Sequence, residues 1–277
     1  MAAIALRVLA GFLSGYLLAT LFESALHRLG GHSTAKMRRG WRRIWWLSKL
    51  MSAAHYGHAV IHHGRTFRHD HVTQFRSDAD QAELDRALVV RDRAWVIRVR
   101  YGLITDTFGA LCYVVLPASA AVVICYGVSG MFDTFFLVAA AVPVLSTPLL
   151  SIFFHPYLHL STERAAEVAP LPARWLLKTR FGLWARIMHF VHHREPRVNF
   201  NLLPGGDILL QTFRFPTARE IAEMRRIGLL TATEAASLSL PERLSTASEE
   251  SASALAPSPC DCSDERSQNE MAASPTS

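Results

Sequence analysis

Four cysteines in 277 residues are too few and too scattered for a disulfide framework. Cys112 and Cys125 lie inside an apolar run, and Cys260 and Cys262 lie in a polar tail. They read as small buried hydrophobes and unpaired thiols. The sequence also lacks His-Glu-x-x-His, which removes the zincin protease class. Its 29 basic residues form no isolated arm and match no nucleic-acid motif, so nucleic acid is not expected as a partner. Charge itself is sparse, at 19% of residues against 50% hydrophobic, and mean hydropathy is positive. That balance is high for a soluble enzyme and suits a membrane protein with a sizeable polar part.

The apolar residues fall in three runs, at about 2–22, 102–126 and 131–154. Each is about long enough, as a helix, to cross a bilayer. A cleaved leader is the rival reading of the first run. It is disfavoured because Glu23 and His27 follow at once and would be left at a new N-terminus. Residues 127–130 make a short turn, so the second and third runs form a hairpin. Residues 28–100 are strongly basic, with Trp41, Trp45 and Trp46 among Arg38, Arg39, Arg42 and Arg43. Aromatics beside arginines mark headgroup level, and the positive-inside rule puts this segment in the cytosol. The expected fold is an all-α integral membrane protein with three to four spans and a helical cytosolic cap. The main domain covers 1–235, with cytosolic segments 28–100 and 160–235. A single amphipathic helix is expected over 172–195. Residues 236–277 are rich in Ser, Ala, Pro and Glu and are expected to be a disordered tail.

What the chain has in abundance is histidine, 13 in all. His189, His192 and His193 share one face of a helix at i, i+3 and i+4. His58, His62 and His63 repeat the theme, as do His155 and His159, although Pro156 implies a kink or restart between those two. Glu23 and His27 are four residues apart at the end of the first run. With the expected topology all four clusters fall on the cytosolic side. Imidazole is the commonest side-chain metal ligand. The candidate ligands are His27, His58, His62, His63, His155, His159, His189, His192 and His193, with Glu23 as a tenth; His55 competes with His58 for its place. His69, His71, Asn199 and Asp106 are candidates for groups behind the ligands. His32 receives no role. So many ligands suit two metal ions rather than one.

These runs resemble the histidine boxes of the membrane-bound fatty acid hydroxylase/sterol desaturase superfamily. His155-x-x-x-His159 and His189-x-x-His192-His193 match two boxes, and Asn199-Phe200-Asn201 is similar to the stretch after the last box. The likeness covers roughly 15–215. Two departures stand out: Glu23 occupies the first position of the first box, and His58 lies one residue too far from His62-His63. The resemblance implies two iron ions, for which zinc can substitute in purified protein. It implies O₂-dependent oxidation of a C–H bond in a membrane lipid, fatty acyl or sterol-like. Hydroxylation is placed ahead of desaturation, and a non-catalytic metal-binding membrane protein is the other alternative. Electrons would come from a separate donor of cytochrome b5, ferredoxin or reductase type. The setting would be a bacterial inner membrane or an ER-type membrane, multi-pass, with the site on the cytosolic face.

Overall fold

The computed structural model describes residues 1–44, 54–68, 77–90 and 134–238, with isolated positions 48, 51, 52, 119, 123 and 127. Every regular element among the described residues is helical, so the chain is all-α. The main helices are α1 (Ala2–Leu26), α2 (Ala35–Trp41), α3 (Asp78–Val90), α4 (Thr134–Phe153), α5 (Thr162–Val168), α6 (Leu171–Leu177), α7 (Arg180–Arg194), α8 (Ala218–Arg226) and α9 (Ala232–Ser237). Residues 1–238 form one compact unit, and the remainder lies outside the described residues.

The first apolar run is α1. At 1.5 Å per residue its 25 residues extend about 37 Å, more than a hydrocarbon core requires. Among the described residues one helix, Ala2–Gly31, is long and apolar enough to cross a membrane by length and composition. The third run is α4, 20 residues long. The second run lies outside the described residues except at 119 and 123, so the full count of spans expected from the sequence is not established.

Small residues decide how α1 meets α4. Gly11, Gly15 and Ala19 recur every four residues and line one face of α1. A Cβ added at Gly11 would lie 2.3 Å from the Phe136 carbonyl oxygen, and one at Gly15 would lie 2.2 Å from that of Ala140. The two backbones therefore touch, as small-xxx-small faces allow. Ala19 packs with Ala140 and Val144. Position advances in the same sense on both helices, so α1 and α4 run parallel. The opposite face of α1 exposes Leu6, Leu9, Leu13 and Leu17.

The parallel pair delivers two chain ends to one place. α1 runs directly into a π-helical turn, His27–Gly31, and α4 into a 3₁₀ turn, His155–His159. The 3₁₀ turn, with Pro156 near its start, is the restart expected there. Over these turns sits a small helical cap centred on α7. One side of α7 packs Ala185 with Phe154, Leu158, Ala173 and Leu177. Another packs Ile187, Met188 and Phe190 with Phe67, Met224 and Leu229.

The single helix expected over 172–195 is two helices. Thr179 is the N-cap of α7, and its hydroxyl accepts from the Gly182 amide at 3.1 Å. Gly182 also lets the new helix close on α6, since a Cβ there would meet the Leu176 carbonyl oxygen at 2.4 Å. Capping boxes at Thr217/Glu220 and Thr231/Glu234 start α8 and α9.

Candidate metal centre

Ten imidazoles converge where α1, α4 and α7 end. Five of them, His27, His32, His58, His63 and His192, each place one ring nitrogen within 4.8 Å of the others. His62, His155, His159 and His189 form a second such group. His193 joins the two: its Nε2 is 3.1 Å from His189 Nε2, and its ring stacks on His63 at 4.1 Å. All nine histidines expected as ligands are thus brought together, and His32 is added.

Backbone geometry explains why irregular spacing yields a regular site. On an α-helix residues i and i+5 point about 140° apart. A π turn hydrogen-bonds i to i+5 and brings them onto one face. The His32 amide donates to the His27 carbonyl at 3.0 Å. The His63 amide donates likewise to the His58 carbonyl. His27/His32 and His58/His63 are therefore the same device used twice. The residue that makes the second box look too long is absorbed by the π turn Tyr56–His62. Gly31 makes room in the first turn, because a Cβ there would sit 2.7 Å from His58 Cδ2.

The nitrogens that meet are mostly Nε2. His58 Nε2 lies 2.7 Å from His27 Nε2, 3.2 Å from His32 Nε2 and 3.1 Å from His63 Nε2. His192 Nε2 is 3.2 Å from His32 Nε2. In the second group His189 Nε2 is 2.9 Å from His155 Nε2 and 2.8 Å from His159 Nε2. Two nitrogens bound tetrahedrally to one zinc would be about 3.3 Å apart, so the longer of these contacts come close to that spacing.

Three tautomers follow from what the outer ring nitrogens face. His27 Nδ1 is 2.7 Å from the Phe200 carbonyl oxygen, and His192 Nδ1 is 2.7 Å from that of Val198. His159 Nδ1 faces the Pro156 carbonyl at 3.2 Å. A carbonyl only accepts, so each of these rings carries its proton on Nδ1 and turns a lone pair inward. Those three lone pairs point into the two groups, as metal-ligating nitrogens would. The donor set, all imidazole nitrogen, suits iron, zinc, copper or nickel.

The rings are held neutral. Burial pushes His58, His63, His155, His189, His192 and His193 well below the usual imidazole range, and neighbouring rings push most of them further. His32 shifts the same way for the same reasons, and burial brings His159 down to about 4. Phe200 packs against His27, His32 and His192, while Phe67 packs against His159 and His193, so apolar rings close the site on two sides.

Behind the ligands lies a loop. The carbonyls of Val198 and Phe200 orient His192 and His27. Asn199, between them, adopts a left-handed φ of 53° and exchanges two 2.9 Å hydrogen bonds with the Arg214 backbone. Asn199 touches no ligand and acts by fixing the loop that does. Asn201 bonds Asp207, Ser24 and the Thr20 carbonyl.

Glu23, expected as a candidate ligand or a group behind the ligands, takes part in this network. It accepts from Asn201 Nδ2 at 2.9 Å and from the Leu202 amide at 3.2 Å, and it is in neither histidine group. It sits a full turn before His27, on the part of α1 that the loop covers. His55 and His58, the two candidates for one place, face different partners. His55 Nδ1 donates to the Gly31 carbonyl at 3.0 Å while its Nε2 accepts from Arg38 at 2.9 Å, and His58 is in the first group. His69, His71 and Asp106 lie outside the described residues.

His32 was missed because a helical reading looks at i+3 and i+4. The usable signal was the repeat: His27-x₄-His32 and His58-x₄-His63 share one spacing. No family model, curated protein or solved structure matches the chain.

Proposed function

We propose that the chain is a di-iron membrane oxidase that hydroxylates a C–H bond of a membrane lipid, fatty acyl or sterol-like, using O₂. The observation that carries this reading is the convergence of two groups of inward-facing, neutral imidazole nitrogens at the end of two parallel apolar helices. The donor count fits two ions and the donor type fits iron. The histidine-box resemblance supplies the reaction class.

Within this reading the protein's residues have distinct tasks. His27, His32, His58, His63 and His192 hold one ion, and His62, His155, His159 and His189 hold the other, with His193 beside both. When bound, the two ions would supply the oxidant, with electrons delivered by a separate donor protein. The Val198 and Phe200 carbonyls fix the outward Nδ1–H groups, which sets ring angle and raises ligand basicity. Phe67 and Phe200 keep water from the rings. α1 and α4 are read as membrane spans whose histidine ends face the cytosol. Two parallel spans in one chain need a return crossing, and the apolar run 102–126 is the stretch of sequence suited to it.

The test is a mass-spectrometric comparison of membrane lipids from cells expressing the wild-type chain or His159→Ala. A species heavier by one oxygen should appear with the wild-type chain alone. A loss of two hydrogens instead would move the assignment to desaturation. No difference with an iron-loaded protein would sink the oxidase reading.

A further inference from the structure

Between the metal-centre loop and α8 lies a short segment that packing and charge set apart. Residues 208–210, Ile-Leu-Leu, end and cap the single helical turn Gly206–Leu209 and are exposed, at 56%, 56% and 45%. Phe215, nearby in sequence, is 59% exposed. No charged residue falls between Asp207 and Arg214, and Asp207 is itself buried. Four large apolar side chains so close in sequence are costly to leave in water.

Most of its amides are paired within the segment. The amides of Leu209, Leu210, Gln211, Thr212 and Phe213 donate to carbonyls of Gly205, Gly206, Ile208 and Asp207 at 2.8 to 3.2 Å. The Asp207 amide donates to Asn201 Oδ1 at 3.0 Å. Non-helical chain enters a bilayer only when its polar backbone groups are satisfied from within.

Its position is fixed against α1. A Cβ added at Gly206 would lie 2.2 Å from the Thr20 carbonyl oxygen, so the segment's backbone touches the helix there. The Tyr16 hydroxyl donates to the Pro204 carbonyl. Thr20 and Tyr16 lie six and ten residues before the end of α1, which is about 9 and 15 Å back along its axis. Interface-bound segments insert to roughly 5–10 Å. The segment is therefore attached alongside α1 rather than beyond its end, on a helix that also exposes Leu13 and Leu17.

We infer that residues 208–210 are a lipid-inserted finger, seated in the cytosolic leaflet beside α1. The inference rests on the reading of α1 as a membrane span. The finger is joined to the metal centre through Asp207, Asn201 and the Phe200 carbonyl that orients His27. It thus forms the bilayer-side rim of that centre.

The test uses the full chain in phosphatidylcholine vesicles, with its four cysteines replaced by serine. A nitroxide is attached through Leu209→Cys, and separately through Ile208→Cys in case one variant misfolds. Leu13→Cys serves as the span reference and Arg225→Cys as the aqueous one. Collision with O₂ and with a water-soluble nickel chelate is measured for each. Labels at 208 and 209 should favour O₂ several-fold over the Arg225 reference, as the Leu13 label does. Labels at 208 and 209 that track Arg225 overturn the inference. So do labels that resist both reagents, which would mean that protein, from this chain or a second copy, covers the segment. If the Leu13 label itself tracks Arg225, the span reading fails and the finger fails with it. If only the finger labels do so, the span stands.

Discussion

His32 and His55 differ in what their ring nitrogens face. His32 Nε2 lies 3.2 Å from both His58 Nε2 and His192 Nε2, in the middle of the first group. His55 uses both nitrogens on the Gly31 carbonyl and on Arg38. His32→Ala is expected to remove a ligand and lower metal content to about one ion per chain, with activity lost. His55→Ala should keep both ions and weaken the first by about 10–100-fold, since it only loosens Gly31. Metal titration of the two purified variants checks this. Equal losses in both would contradict the division between ligand and support. Glu23 makes the same point from the other side: a carboxylate at helix spacing from a histidine looks like a ligand. Only the fold shows Asn201 and the Leu202 amide claiming both of its oxygens.

Among elements, those whose information is local could be read from the sequence, and those set by a neighbour could not. The box on α7 was legible because a plain α-helix places i, i+3 and i+4 together. The pairs His27/His32 and His58/His63 were not, because a π turn changes the periodicity. Similarly, the Thr179 cap that divides α6 from α7 lies inside a pattern whose apolar spacing runs on unbroken. The packing of α1 on α4 is written in Gly11 and Gly15, but one sequence does not reveal which partner a small-residue stripe meets. That contact carries a prediction. Gly15→Leu places its Cβ 2.2 Å from a backbone oxygen that has no side-chain freedom to yield. The variant should lose roughly 1–3 kcal/mol or more and unfold at lower temperature. Leu17→Ala, on the exposed face, should change stability little. A Gly15→Leu chain as stable as the wild type would rule out the close parallel pair.

At the scale of the whole molecule, an all-α fold was legible from composition and apolar runs, and so was the gathering of histidines at one end. Their division into two groups depends on contacts between residues more than a hundred positions apart. The cap over the site is held partly by charge, and that gives it a pH dependence. Burial alone would raise the Glu220 carboxyl, but Arg214, at 2.7 and 3.0 Å, and the Thr217 amide outweigh it and hold it below its usual 4.5. Burial would likewise raise Glu234, and the Thr231 amide, Thr162 and Arg186 bring it below the same value. A depressed carboxyl stabilises the fold above its unfolded pKa, and that stability is lost as pH falls through the folded value. These two groups should therefore leave stability unchanged from pH 7 to about 5 and reduce it below about 4.5. The Glu220→Gln/Glu234→Gln double variant should be less stable at pH 7 and show a shallower loss below about 4.5 in thermal melts. An unaltered acid limb would show that the cap is held by its apolar contacts alone.

The central claim is that ten converging imidazoles, eight of them buried, make two adjacent metal positions. The most direct measurement is metal content per chain, by mass spectrometry of the full-length protein purified in gentle detergent without chelators. About two equivalents of iron, or of zinc in its place, are expected. A folded chain that holds no metal, or only one ion, would contradict it.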